Sequence, residues 1–162
     1  MTACSSDDLG SEVPEFTIYS YLRGFQAQHE QGEIDRCSYL WNVGLWHRYC
    51  VLLEDSEKVL TLGRQLCPEE PSILGELALT QYQLGKFEEA DTNLRTAIRD
   101  AEARKLQDFA DQYKSQLVYM QDNRAEFDPT DIEELSIEAR ERDASCEDIE
   151  AAGLDSFVSG LK

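Results

Sequence analysis

The sequence predicts an all-α protein, and three observations carry that expectation. Apolar residues recur at helical spacing through most of the chain. No segment alternates polar and apolar residues long enough to make a convincing strand. The breaks between periodic stretches are short, so consecutive helices are expected to lie antiparallel.

Residues 1–15 are polar, end in Glu12-Val-Pro-Glu15, and read as a disordered lead-in. From Phe16 the helical period begins, with Ile18, Tyr19, Leu22 and Phe25 on one face; the run from Gln28 to Gly32 stops it. A second stretch covers about Ile34 to Leu53, and Glu54-Asp55 interrupts it with Asp55 as the expected N-cap of the next helix. The third runs from Ser56 to Leu66 and stops at Cys67-Pro68. Pro71-Ser72 opens the fourth, which continues to Leu84 before Gly85. The fifth runs from Phe87 towards Arg104. The sixth, about 106–121, places Leu106, Phe109, Ala110, Tyr113, Leu117 and Met120 on one stripe.

A shift of 34 residues superposes part of the chain on itself. With 37–70 written above 71–104, Leu40 pairs with Leu74, Val43 with Leu77 and Gly44 with Ala78 in the first helices. In the second helices Ser56 pairs with Ala90, Leu60 with Leu94 and Gly63 with Ala97. Large residues face large and small face small. The small positions have a physical role, since two antiparallel helices approach closely only where a Gly, Ala or Ser clears the crossing.

This pattern resembles the tetratricopeptide repeat family, most clearly over Pro71 to Ala97 with the turn Leu84-Gly-Lys-Phe-Glu-Glu-Ala90. Residues 37–70 add Gly44 and Pro68 in register. Departures are Leu at the family's first aromatic position in both copies, His47 or Gln81 in place of a Tyr, Glu102 in place of a Pro, and Val51 where the inter-helix turn has Gly. The resemblance implies a superhelix of antiparallel helix pairs over 16–121: a leading helix, two repeats and a closing helix at 106–121.

The resemblance also implies a concave groove lined by first-helix side chains. Carried over by position, these are Ser38, Trp41, Leu45, Arg48 and Tyr49, then Ser72, Gly75, Leu79, Tyr82 and Gln83. Trp41, Leu45, Tyr49, Leu79 and Tyr82 would make an apolar aromatic trough suited to a peptide or helix, with Arg48 and Gln83 beside it. An aromatic stripe at i, i+4 and i+8 is also what a core face looks like, so Trp41, Leu45 and Tyr49 are equally expected inside. A receptor for a partner's C-terminal carboxylate is not expected, because the Lys and Asn such clamps require are replaced by Trp41 and Leu45.

The last third has a different composition. Residues 122–162 hold 13 Asp+Glu and four Lys+Arg, a net −9 that equals the deficit of the other 121 residues. This acidic tail is expected to be partly helical, from Asp128-Pro129-Thr130 to about Glu141 through Ile132, Leu135 and Ala139. It ends in Leu154, Phe157, Val158 and Leu161 at i, i+3, i+4 and i+7. Such a stripe is too short to fold alone and must dock, either on its own domain or on a partner.

Composition excludes several functions. Fifteen Lys+Arg against 33 Asp+Glu in 162 residues, a net charge of −18, oppose nucleic acid and an anionic membrane. Arg outnumbers Lys ten to five, and this acidity is similar to that of proteins from salt-rich cytoplasms. No cofactor, metal or catalytic motif is expected. Five cysteines, with no CxxC pair, read as reduced thiols, and with no basic, apolar leader the expected location is cytoplasmic.

The expected function is a non-enzymatic interaction module, an adaptor or chaperone-like scaffold with a protein or peptide partner. One alternative is a regulator whose C-terminal stripe fills its own groove. In length and acidity the chain also resembles the small repeat chaperones of bacterial type III secretion. The alternative from another class is a thiol enzyme or redox sensor built on Cys50 and His47, which stand at i, i+3.

Overall fold

The computed structural model describes residues 16–161, and among them every regular element is helical. The expectation for residues 1–15 lies outside the described residues. Thr17 caps α1 (Ile18–Glu30) through a capping box: its hydroxyl accepts from the Ser20 amide, and the Ser20 hydroxyl accepts from the Thr17 amide. Asp35 caps α2 (Arg36–Tyr49) by accepting from the Ser38 amide. Helices α3 (Leu53–Leu66), α4 (Pro71–Gln83), α5 (Phe87–Ala103) and α6 (Gln107–Asn123) follow.

Four of these helices end in one turn geometry, and that turn makes the hairpins. Gly32, Val51, Gly85 and Lys105 each take a left-handed φ, of 76°, 60°, 80° and 60°. The following amide then reaches back five residues at 2.8 Å: Glu33 to Gln28, Leu52 to His47, Lys86 to Gln81, and Leu106 to Ala101. The turn that closes α2 at Val51–Leu52 also starts α3 earlier than expected. Asp55 is therefore not the N-cap but sits in the first turn of α3, where its charge still complements the helix dipole.

Helix α2 pairs with α3 and α4 with α5, α3 packs on α4, α5 on α6, and α1 rests on α2. The small residues of the 34-residue correspondence lie at these crossings. Gly44, Ser56, Gly63, Ala78, Ala90 and Ala97 are all buried, and the Ser56 hydroxyl donates to the Gly44 carbonyl at 2.8 Å. Around them Leu40, Val43, Leu60, Leu74, Leu77 and Leu94 form the core, each worth about 1.5–3 kcal/mol when fully buried.

Beyond Asn123 a 3₁₀ turn (Arg124–Glu126) leads into α7 (Pro129–Arg142), α8 (Cys146–Ala152) and α9 (Asp155–Val158). Phe127 anchors the departure, edge-on to Phe87 at 5.2 Å and to Tyr82 at 6.2 Å, and Arg124 pairs with Asp91. Asp128 caps α7 by accepting from the Thr130 amide, but α7 buries only Ala139. The chain then returns to its first helix. The Asp143 carboxylate accepts from the Ile18 amide (2.8 Å), and the Ser145 hydroxyl accepts from the Tyr19 amide (3.1 Å). The acidic segment is thus a strap joining the end of the described chain to α1 and α2.

The C-terminal stripe is not one continuous helix. Its helix α9 ends at Val158, and Gly160 at φ 88° carries Leu161 beyond it, while Gly153 at φ 77° separates Leu154 from α8. Phe157 and Val158 are buried, while Leu154 and Leu161 are half-buried against the same core. Phe157 sits edge-on to the His47 ring at 5.6 Å and under the Arg23 guanidinium at 4.2 Å. Its carbonyl accepts from Tyr39 Oη at 2.6 Å.

The cysteines overturn one sequence expectation. They are not reduced thiols: Cys37 is bonded to Cys67 and Cys50 to Cys146, with Cα–Cα distances of 5.9 and 5.4 Å. The α2–α3 hairpin brings the start of one helix beside the end of the next, and the returning strap lays Cys146 against the C-cap of α2. The fifth cysteine, Cys4, lies outside the described residues.

Candidate functional site

Helices α2, α4 and α6 present one common face, and two cavities open along it. The upper one, about 360 Å³, lies between Trp41 and Phe109, with Ser38, Ser72 and Ile73 among its walls. The lower one, about 390 Å³, is bounded by Arg48 on α2, by Leu79, Tyr82 and Gln83 on α4, and by Tyr119 on α6. Its remaining wall is the strap, through Phe127, Ile132 and Leu135.

Gly75 stands on α4 between Ser72 of the upper cavity and Leu79 of the lower one. The Tyr113 ring lies directly on it, so that a Cβ at position 75 would come within 2.6 Å of Tyr113 Cε1. Burial pushes the Tyr113 hydroxyl up to about 12, with the Glu76 carboxylate adding to the shift. At the same level Arg48 Nε donates to Glu76 at 2.8 Å. Burial is also the main cause of the raised Tyr82 hydroxyl pKa.

Of the residues expected to line a groove, Arg48, Leu79, Tyr82 and Gln83 meet in the lower cavity, and Ser38, Trp41 and Ser72 in the upper. Leu45 is half-buried and lines neither. Tyr49 is exposed under the Arg142 guanidinium, 5.0 Å from its ring centroid, and edge-on to Trp46. The C-terminal stripe occupies neither cavity; its buried residues pack on Tyr39 and His47, a different face of α2 from Trp41 and Arg48. Sequence reasoning did not single out Phe109, Tyr119 and Phe127 as lining residues. The first was visible only as part of the α6 stripe, and the other two need the path of the strap.

The imagined Cys50–His47 pair is not a nucleophile pair, because Cys50 is bonded to Cys146. His47 is fully buried. Its Nδ1–H donates to the Val43 carbonyl at 2.7 Å, its Nε2 has no partner among the described residues, and burial pushes its pKa below the ordinary value. Among the described residues, no three His, Cys, Asp or Glu side chains are grouped to hold a metal ion, and no helix is long and apolar enough to cross a membrane. Comparison of the chain with protein-family models, with curated proteins and with solved structures returns no match.

Proposed function

We propose that this chain is a non-enzymatic protein-interaction module that takes an apolar peptide or helix along the shared face of α2, α4 and α6. One observation carries the reading. Large apolar side chains converge on open cavities there, and several stay accessible, with Tyr119 63% and Phe109 43% exposed. Aromatic anchors set in half-open pockets are the surfaces that supply most binding energy in peptide recognition. The tetratricopeptide-like arrangement of helix pairs is the architecture we propose for this face, supported by the small residues that recur at a shift of 34.

The test is selection of peptides from a random displayed library on the oxidised full-length protein. Trp41→Ala and Tyr82→Ala are expected to weaken the selected peptides at least tenfold without changing far-ultraviolet circular dichroism. Failure to select any peptide, or loss of helicity in both variants, sinks the proposal. The two disulfides support an oxidising compartment, which we propose in place of the cytoplasm. Intact mass of protein from its native source, alkylated without reductant, checks that placement: labels on Cys37 or Cys50 would refute it.

A further inference from the structure

The lower cavity differs from the upper one in charge, and the difference comes from the strap. Glu126, Asp128 and Asp131 stand on its rim, all exposed. Nearby cations are already engaged: Arg48 pairs with Glu76, and Arg124 pairs with Asp91 while lying over the Phe87 ring at 5.3 Å. The rim therefore carries three carboxylates, of which Asp128 also caps α7, and the one basic side chain among the lining residues, Arg48, is paired with Glu76. The floor, by contrast, is apolar, formed by Leu79, Tyr82, Phe127 and Ile132.

We infer that the lower cavity binds an apolar peptide segment flanked by Lys or Arg, with one large side chain on the Tyr82–Phe127 floor and the basic flanks over Glu126, Asp128 and Asp131. This rests on the groove reading above and names its partner's chemistry. The strap is then half of the binding site, since it supplies both a wall and the rim. A neutral apolar segment would fill the floor but leave the rim carboxylates without the attraction that orients a cationic one. An acidic segment would meet repulsion from the rim and from the −18 of the whole chain.

Fluorescence anisotropy on the oxidised full-length protein tests this with three labelled synthetic peptides. Each carries Leu at i, i+3, i+4 and i+7, and the intervening positions are all Lys, all Gln or all Glu. The Lys peptide is expected to bind about tenfold more tightly than the Gln peptide at low salt, with the advantage lost near 0.5 M salt. Glu126→Gln with Asp131→Asn should weaken the Lys peptide about fivefold, as expected for two exposed charge pairs, and leave the Gln peptide unchanged. Glu88→Gln with Glu89→Gln removes the same charge from the first turn of α5, away from the cavity, and should change neither. Equal binding of Lys and Gln peptides would overturn the basic-partner assignment and leave the groove reading standing. An equal loss in the α5 control would overturn it too, by showing attraction to bulk charge. Binding of none of the peptides overturns both readings.

Discussion

At the scale of single residues, the turn that closes each hairpin makes an unequal demand on the four side chains that occupy it. Glycine meets a left-handed φ at no steric cost, but Val51 is β-branched and holds φ 60°. Val51→Gly is therefore expected to raise stability by about 1 kcal/mol, the left-handed penalty less the entropy glycine adds to the unfolded chain. Urea unfolding under oxidising conditions measures this; an unchanged or lower midpoint would remove strain from the account of that turn. Position 44 carries the opposite demand. A Cβ there would overlap Leu60 Cγ and Cδ2, and Leu60 is fully buried in the crossing of α2 with α3. Gly44→Ala should destabilise by about 1–3 kcal/mol despite alanine's better helix propensity. Gly24, in α1 with nothing within 4 Å of a Cβ, is the control, and its Ala variant should gain about 0.5–1 kcal/mol.

At the scale of elements, the six body helices were legible within a few residues because their apolar period and small crossing positions agree, although the expected cap Asp55 was misplaced. Even the departure at Val51 was visible, as the residue where a glycine belonged. The strap was only half legible. Its first helix was readable from Asp128-Pro129, but the direction it takes depends on Asp143 and Ser145 accepting from the amides of Ile18 and Tyr19, more than 120 residues away. No local pattern encodes such a contact. Burial alone would raise the Asp143 pKa, but the hydrogen bonds from Ser145 and Ile18 outweigh it and hold the carboxyl below its usual range. Where α9 lands, His47 supplies a pH dependence. Its pKa falls from 6.5 because the buried ring resists charge, with the Val43 carbonyl and Asp55 opposing that shift only in part. The neutral-ring stability is fully present above pH 6.5 and is lost as pH falls from 6.5 through the lower folded value, since the unfolded chain takes the proton first. The denaturation midpoint should therefore decline on acidification from neutrality, and His47→Gln should flatten that decline. A slope unchanged in the variant would assign it to other groups.

At the scale of the whole molecule, the fold joins two bodies of like charge. Residues 1–121 and 122–162 each carry −9, yet α8 and α9 lie against α1 and α2. The attachment is made by Phe157, Val158 and Ile149 in the core, by Asp143 at the start of α1, and by the Cys50–Cys146 bond. That bond was not legible, because its halves are 96 residues apart and only the return of the strap brings them together. The Cys37–Cys67 bond spans 30 residues and had a usable signal, since opposite ends of an antiparallel pair adjoin. In a chain-entropy account, closing the longer loop is worth about 4–5 kcal/mol and the shorter about 3–4. Cys146→Ser should thus cost about 1 kcal/mol more than Cys67→Ser. A further consequence separates this bond from ordinary stabilisation. Without it, repulsion between the strap and the body acts over a Debye length of about 10 Å at 0.1 M salt and is largely screened at 1 M. In Cys146→Ser at low salt, α7 should therefore become a site of rapid proteolysis, at Arg140 and Arg142 with trypsin, while the body from α2 to α6 stays protected. High salt should restore protection of those sites in the variant and change little in the bonded protein. Protection of those sites in the variant at low salt would show that the apolar docking of Phe157 and Val158 holds the strap by itself, with charge playing no part.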